Sequence, residues 1–252
     1  MKDVKKLELI FEQVIKLNKK LRTEIHNKKK ADITGYRSLL LCAFEQAEKF
    51  ARAVKILVQS KLSHEASPIV RTFFELFITL KLIAYDKDLA LRFGAFAWVR
   101  RKKLIEIVKK HGLPLKEGDD RISEEEIEET YKQVIAEHGF TSHEYWFQPK
   151  PPNLFEASKI TGDEKNYDLF YRYLSDLAHV NILSFARFNL ETKADEIIFD
   201  WEDGDGYTEL GATLSMLLTV VNLFNGEFEL GFQTQIDTLM DSLVENQLIN
   251  KS

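Results

Sequence analysis

A single cysteine, Cys42, stands in the 252 residues of this chain. One thiol excludes an internal disulfide and any zinc site built on cysteine pairs. Its setting, Leu39-Leu40-Leu41-Cys42-Ala43-Phe44, predicts a small core side chain rather than a nucleophile. Proline (5) and glycine (11) are also scarce. So few helix-interrupting residues predict helices joined by short loops. His143-Glu144 has no second histidine at zinc-protease spacing, so no metal is expected, and no cofactor motif is present. Positive charge is not in excess: the net charge of -5 argues against coating by nucleic acid and leaves room only for a local basic patch. Long apolar runs are lacking too. Arg71 and Lys81 interrupt the most apolar stretch, so no membrane span is expected. Met1-Lys2-Asp3-Val4-Lys5-Lys6 lacks the pattern of a secretory signal, which with the lone thiol makes the cytoplasm the expected location.

What is present is an ordinary core-forming balance, 44% hydrophobic against 30% charged. The fold class read from it is all-α: a single bundle of seven or eight helices over 1–252. A leading helix and turn occupy 1–33, a core 34–226, and a closing helix 227–252. Val4, Leu7, Phe11, Val14, Leu17, Leu21 and Ile25 recur at helical spacing in the first helix. A second helix is expected over 34–60 and a third over 68–85, capped by Ser63 or Ser67 and opened by Pro68. The third is apolar almost all round and is expected at the centre. A fourth helix spans 88–111, with basic residues that circle it. Ser123-Glu124-Glu125-Glu126 reads as a capping box opening a fifth. Residues 139–157 read as an irregular stretch carrying Trp146; packing across the bundle is the first expectation for it, a lid or partner surface the other. The sixth helix is expected from about 162 to 190, with or without a break near Asn181, followed by a β-prone segment at 196–201, a short strand or an ordered loop, with no evident pairing partner. Two helices, 207–226 and 230–249, close the chain.

The candidate functional residues fall in two helices. Arg71 and Glu75 stand four apart in the third, so they share a face and can pair. A charged pair in so apolar a helix requires more polar partners or access to water. In the sixth helix, Arg172, Asp176 and His179 share a stripe, flanked by Tyr171 and Ser175. The expected arrangement is one polar cluster of Arg71, Glu75, Tyr171, Ser175 and His179 between the two helices. Histidine exchanges a proton near neutral pH, and arginine grips phosphate at two points. Those are the two tasks of a metal-independent RNase.

Ser67-Pro68-Ile69-Val70-Arg71-Thr72-Phe73-Phe74-Glu75, with Tyr171, Ser175 and His179 at four-residue steps, resembles the uncharacterised bacterial family called domain of unknown function 5677. The resemblance runs over about 35–225 and carries no activity with it. More distantly, Arg172 and His179 resemble the Arg-x(4–6)-His signature of the HEPN superfamily. Tyr173 follows the arginine where a small polar residue is usual. That likeness implies an RNA-cleaving toxin or phage-defence effector, a homodimer with paired motifs at its interface, and RNA as partner, with Arg172 and His179 catalytic. The other reading is a non-catalytic interaction or ligand-sensing domain whose polar cluster is structural or binds a small molecule. Both readings stand at this point, and neither identifies a protein partner other than a second copy.

Overall fold

The computed structural model describes residues 4–27, 35–113, 123–140, 145–148, 150–178, 188–193, 196–201 and 205–247. The architecture is an all-α bundle. Its helices are α1 (Val4–His26), α2 (Tyr36–Gln59), α3 (Ser67–Tyr85), α4 (Leu89–Lys110), α5 (Glu124–His138), α6 (Leu154–Ile160), α7 (Glu164–Asn166), α8 (Arg172–Ala178), α9 (Tyr207–Phe228) and α10 (Gln233–Gln247). A π-helical turn, Tyr167–Tyr171, joins α7 to α8.

α9 lies against α1, α2, α3 and α10, and α3 lies against α2, α6, α8 and α9. Two helices therefore share the centre where the sequence suggested one. α9 is long and apolar enough to cross a membrane by length and composition, yet 67% of its apolar window is buried inside the bundle. Alanines 43, 47 and 51 on the buried stripe of α2 let α9 approach closely, and Phe44 stacks on Phe224 with centroids 4.2 Å apart. Cys42 corrects the expectation from its neighbours: it is exposed. The buried stripe of α2 runs through Leu40, Ala43, Phe44, Ala47, Ala51, Val54 and Val58, and position 42 falls on the opposite face.

A polar network ties α1 to α2. Glu48, only 4% exposed, accepts hydrogen bonds from Asn18 Nδ2 at 2.9 Å and from Arg22 and Arg52, each at 2.8 Å. Burial works to raise the Glu48 pKa, but these donors outweigh it and hold the carboxyl below its ordinary value. Lys81 on α3 pairs with buried Asp163 at 2.6 Å and so fixes the start of α7.

Several local expectations hold and others are corrected. Ser123 and Glu126 form both arms of the capping box, and left-handed Gly139 ends α5. Ser67 does not cap α3. Ala66 occupies that place, and Ser67 Oγ is buried without a hydrogen-bond partner. Within the stretch read as irregular, α6 forms behind an Asn153 side chain that accepts the Glu156 N–H at 2.9 Å. The sixth predicted helix does not run to 190, because residues Phe188–Lys193 form β1. It pairs antiparallel with β2 (Glu196–Trp201), with Lys193 opposite Glu196 and Phe188 opposite Trp201. The β-prone segment thus has a partner immediately upstream.

Gly206 opens α9 with φ +72°, and a Cβ placed there would lie 2.5 Å from Val58 Cγ1. A β-branched neighbour cannot swing aside. Gly206→Ala is expected to lower stability by about 2–4 kcal/mol, combining left-handed strain with overpacking. Thermal unfolding checks this, and adding Val58→Ala should not deepen the loss by the full cost of a fresh cavity. A Gly206→Ala protein as stable as wild type would refute the close contact.

Candidate functional site

Arg71 and Glu75 project from successive turns of α3 toward α8. The π-helical turn delivers the third member of the group. Within it the Arg172 backbone N–H donates to the Tyr167 carbonyl five residues back, and Tyr167 stacks on Tyr171 at 4.9 Å. Tyr171 is buried beside Phe74, 5.3 Å between centroids. Its hydroxyl donates to Glu75 Oε1 at 2.8 Å and accepts from Arg71 Nε at 3.3 Å. Arg71 Nε also lies 3.7 Å from Glu75 Oε1, and its guanidinium sits 5.4 Å from the Tyr171 ring centre. Burial pushes the Tyr171 pKa far up, and donation to Glu75 raises it further against the opposing pull of Arg71. The phenol is a fixed donor at neutral pH, not an acid. Arg71 is raised as well: the Tyr171 hydrogen bond and the Glu75 charge outweigh the burial that would lower it.

Beside this trio a groove of about 340 Å³ opens between α2, α3, α4, α6 and the segment 145–147. Phe50, Phe93, Tyr145, Trp146 and Phe147 supply aromatic walls, and Gln46, Thr72, Glu75 and Thr79 bring polar atoms. Glu75 therefore belongs both to the trio and to the groove. Trp146 is buried, meets Phe93 edge-on at 5.3 Å, and donates its indole N–H to Thr79 Oγ1 at 3.4 Å.

Arg92 on α4 holds the aromatic wall, and the sequence reading passed over it. Its Nε donates to the Trp146 carbonyl at 2.9 Å, and its two terminal nitrogens donate to the carbonyls of His138 and Gln148. The guanidinium also lies 4.4 Å from the Phe140 ring centre. Burial lowers its pKa. The only available signal was an arginine flanked by Leu91 and Phe93; its partners are backbone oxygens, which no sequence pattern marks.

The other predicted residues lie elsewhere. Arg172 follows Tyr171 directly, so the two side chains diverge by about 100°. Arg172 is 61% exposed, pairs with Asp168 at 2.9 Å, and lies 5.6 Å from the ring centres of Phe155 and Tyr167. Asp176 is exposed and Ser175 half-buried. His179 lies outside the described residues. The structure thus brings Arg71, Glu75 and Tyr171 together and sets Arg172 and Asp176 on the solvent side of the same helix. Among the described residues no group of His, Cys, Asp and Glu could hold a metal ion.

A family model described as a family of unknown function, DUF5677, matches residues 37–197. No curated protein and no solved structure matches the chain. The matched span contains the trio, the groove and Arg92, and leaves out α1, α9 and α10.

Proposed function

This chain belongs to the DUF5677 family of unknown function, and on that premise we propose that it is a ligand-sensing helical domain: a small organic molecule enters the groove beside Glu75, and Tyr171 couples its occupancy to α8. One observation carries this reading. Glu75 lines the groove and also accepts the hydroxyl of Tyr171, so a ligand that engages the carboxylate alters the link between α3 and α8. The groove has the mostly apolar lining of a small-molecule site and a volume within the range of about 300–1,000 Å³ typical of such sites. A ligand shifts α8 only to the extent that it binds the two arrangements of the Glu75–Tyr171 contact unequally.

A fragment library of mixed charge, screened by nuclear magnetic resonance on the indole N–H of Trp146, tests the reading. Binders are expected to move that signal in the wild type and to lose affinity at least tenfold in Thr72→Tyr, which fills the exposed rim of α3. A library that never moves Trp146, or binders indifferent to Thr72→Tyr, would remove the groove from consideration.

A second reading, HEPN-like RNA cleavage by Arg172 and His179, draws on the exposure of Arg172. Leu169 (70% exposed) and Tyr173 (48%) flank it on the same outward side, where a second copy would bring paired motifs together. End-labelled RNA in EDTA separates the readings: cleavage by wild type and not by Arg172→Ala supports the nuclease. Intact RNA after prolonged incubation with wild type counts against it.

A further inference from the structure

We infer that the groove selects an organic cation, a protonated amine or quaternary ammonium group seated between Glu75 and the aromatic walls. This rests on the groove being a ligand site.

Glu75 is the one charged side chain among the described residues lining the groove. Its Oε1 is occupied by the Tyr171 hydroxyl at 2.8 Å and lies near Arg71 Nε at 3.7 Å. No described residue supplies a hydrogen bond to Oε2. Arg71 is not part of the groove lining; its Nε donates to the Tyr171 hydroxyl and its guanidinium lies against the Tyr171 ring. The side chain of Glu75 is 38% exposed, so an incoming group displaces water from it.

The aromatic lining adds to this asymmetry. Aromatic faces carry the negative side of the ring quadrupole and attract cations that approach within about 6 Å of the centroid. An anion would meet a carboxylate and aromatic rings together. A neutral molecule would gain ring contact but strip water from Glu75 without replacing it. A cation gains from both. A bare calcium or magnesium ion fits less well, since such ions take six or more oxygen ligands and only one carboxylate is offered. The volume of about 340 Å³ accommodates a methylated ammonium head with a short tail.

Three soluble probes of similar shape separate charge from shape: choline, its carbon isostere 3,3-dimethylbutan-1-ol, and 3,3-dimethylbutyrate. They are titrated into the full chain by calorimetry, with the Trp146 indole signal locating the site. Choline is expected to bind at least tenfold more tightly than the alcohol, and the acid not at all. Glu75→Gln, which retains an acceptor for Tyr171, is expected to erase the preference. Thr72→Lys places a positive charge at the exposed rim and is expected to weaken choline at least fivefold while leaving the alcohol unchanged; it serves equally if Glu75→Gln fails to fold. Alcohol or acid binding the wild type as tightly as choline would overturn the cation inference and preserve the ligand site. Failure of all three probes, while other fragments move Trp146, would also overturn the cation alone. Failure of every probe and fragment would overturn both.

Discussion

Replacing Glu48 by alanine is expected to lower the unfolding free energy by about 2–4 kcal/mol. Removing the buried carboxylate takes the acceptor from Asn18 and Arg52, while Arg22 keeps its pair with Glu45. Breaking a wholly buried ion pair costs about 3–5 kcal/mol. Here Arg22 and Arg52 are 34% and 50% exposed and can turn toward water, which lowers the figure. The pH dependence has a definite sign. The folded Glu48 carboxyl titrates below its ordinary value, so its contribution is full above the unfolded pKa of about 4.3 and fades as pH falls through the lower folded value. Urea unfolding of wild type and Glu48→Gln should therefore show their largest gap near neutral pH and a shrinking one below about pH 4. A gap unchanged down to pH 3 would contradict the ionised, hydrogen-bonded carboxylate described here.

Arg92→Ala is expected to have the second large effect, on the groove as well as on stability. Three carbonyls, of His138, Trp146 and Gln148, lose a charged donor together, and Phe140 loses the cation over its ring. Hydrogen bonds to charged groups contribute about 1.5–3 kcal/mol each, but the freed carbonyls can reach water once the segment lifts. A total loss of about 2–4 kcal/mol follows. The local signature is sharper. Amide exchange at 145–148 should rise at least a hundredfold while α9, in the middle of the core, keeps its protection. Arg92→Lys, with one nitrogen in place of a fork, should recover only a minority of the loss. Unchanged exchange at 145–148 in Arg92→Ala would show that the aromatic contacts of Trp146 alone hold the wall.

How much of this was legible in the chain depended on how far each pattern reaches. The capping box at Ser123 and the shared face of Arg71 and Glu75 need only three or four residues, and both stand in the structure. Cys42 misled because its immediate neighbours are apolar, whereas burial follows every third or fourth residue. β1 was hidden for a related reason. Phe188 and Leu190 fit the apolar spacing of a continuing helix, and the pairing that decides between helix and strand lies in the next segment. The groove draws its lining from five separate segments, and no local period announces such a meeting. Arg172 and Tyr171 could be placed as neighbours, but only the packing of α3 on the helix showed that Tyr171 faces inward and Arg172 outward.

The π-helical turn at Tyr167–Tyr171 also governs how relatives of this chain can be compared. Such a turn holds one residue more than an α-helix would need, and one residue amounts to about 100° of rotation. A homologue lacking that residue could keep α3 and α8 packed through an unbroken α-helix. The same letters upstream of Tyr171 would then sit on a different face. Alignments across 164–178 should therefore permit a single-residue gap in this turn. Where the gap falls, the identity of the aromatic opposite Glu75 is a better guide to a shared site than the length of the matched run.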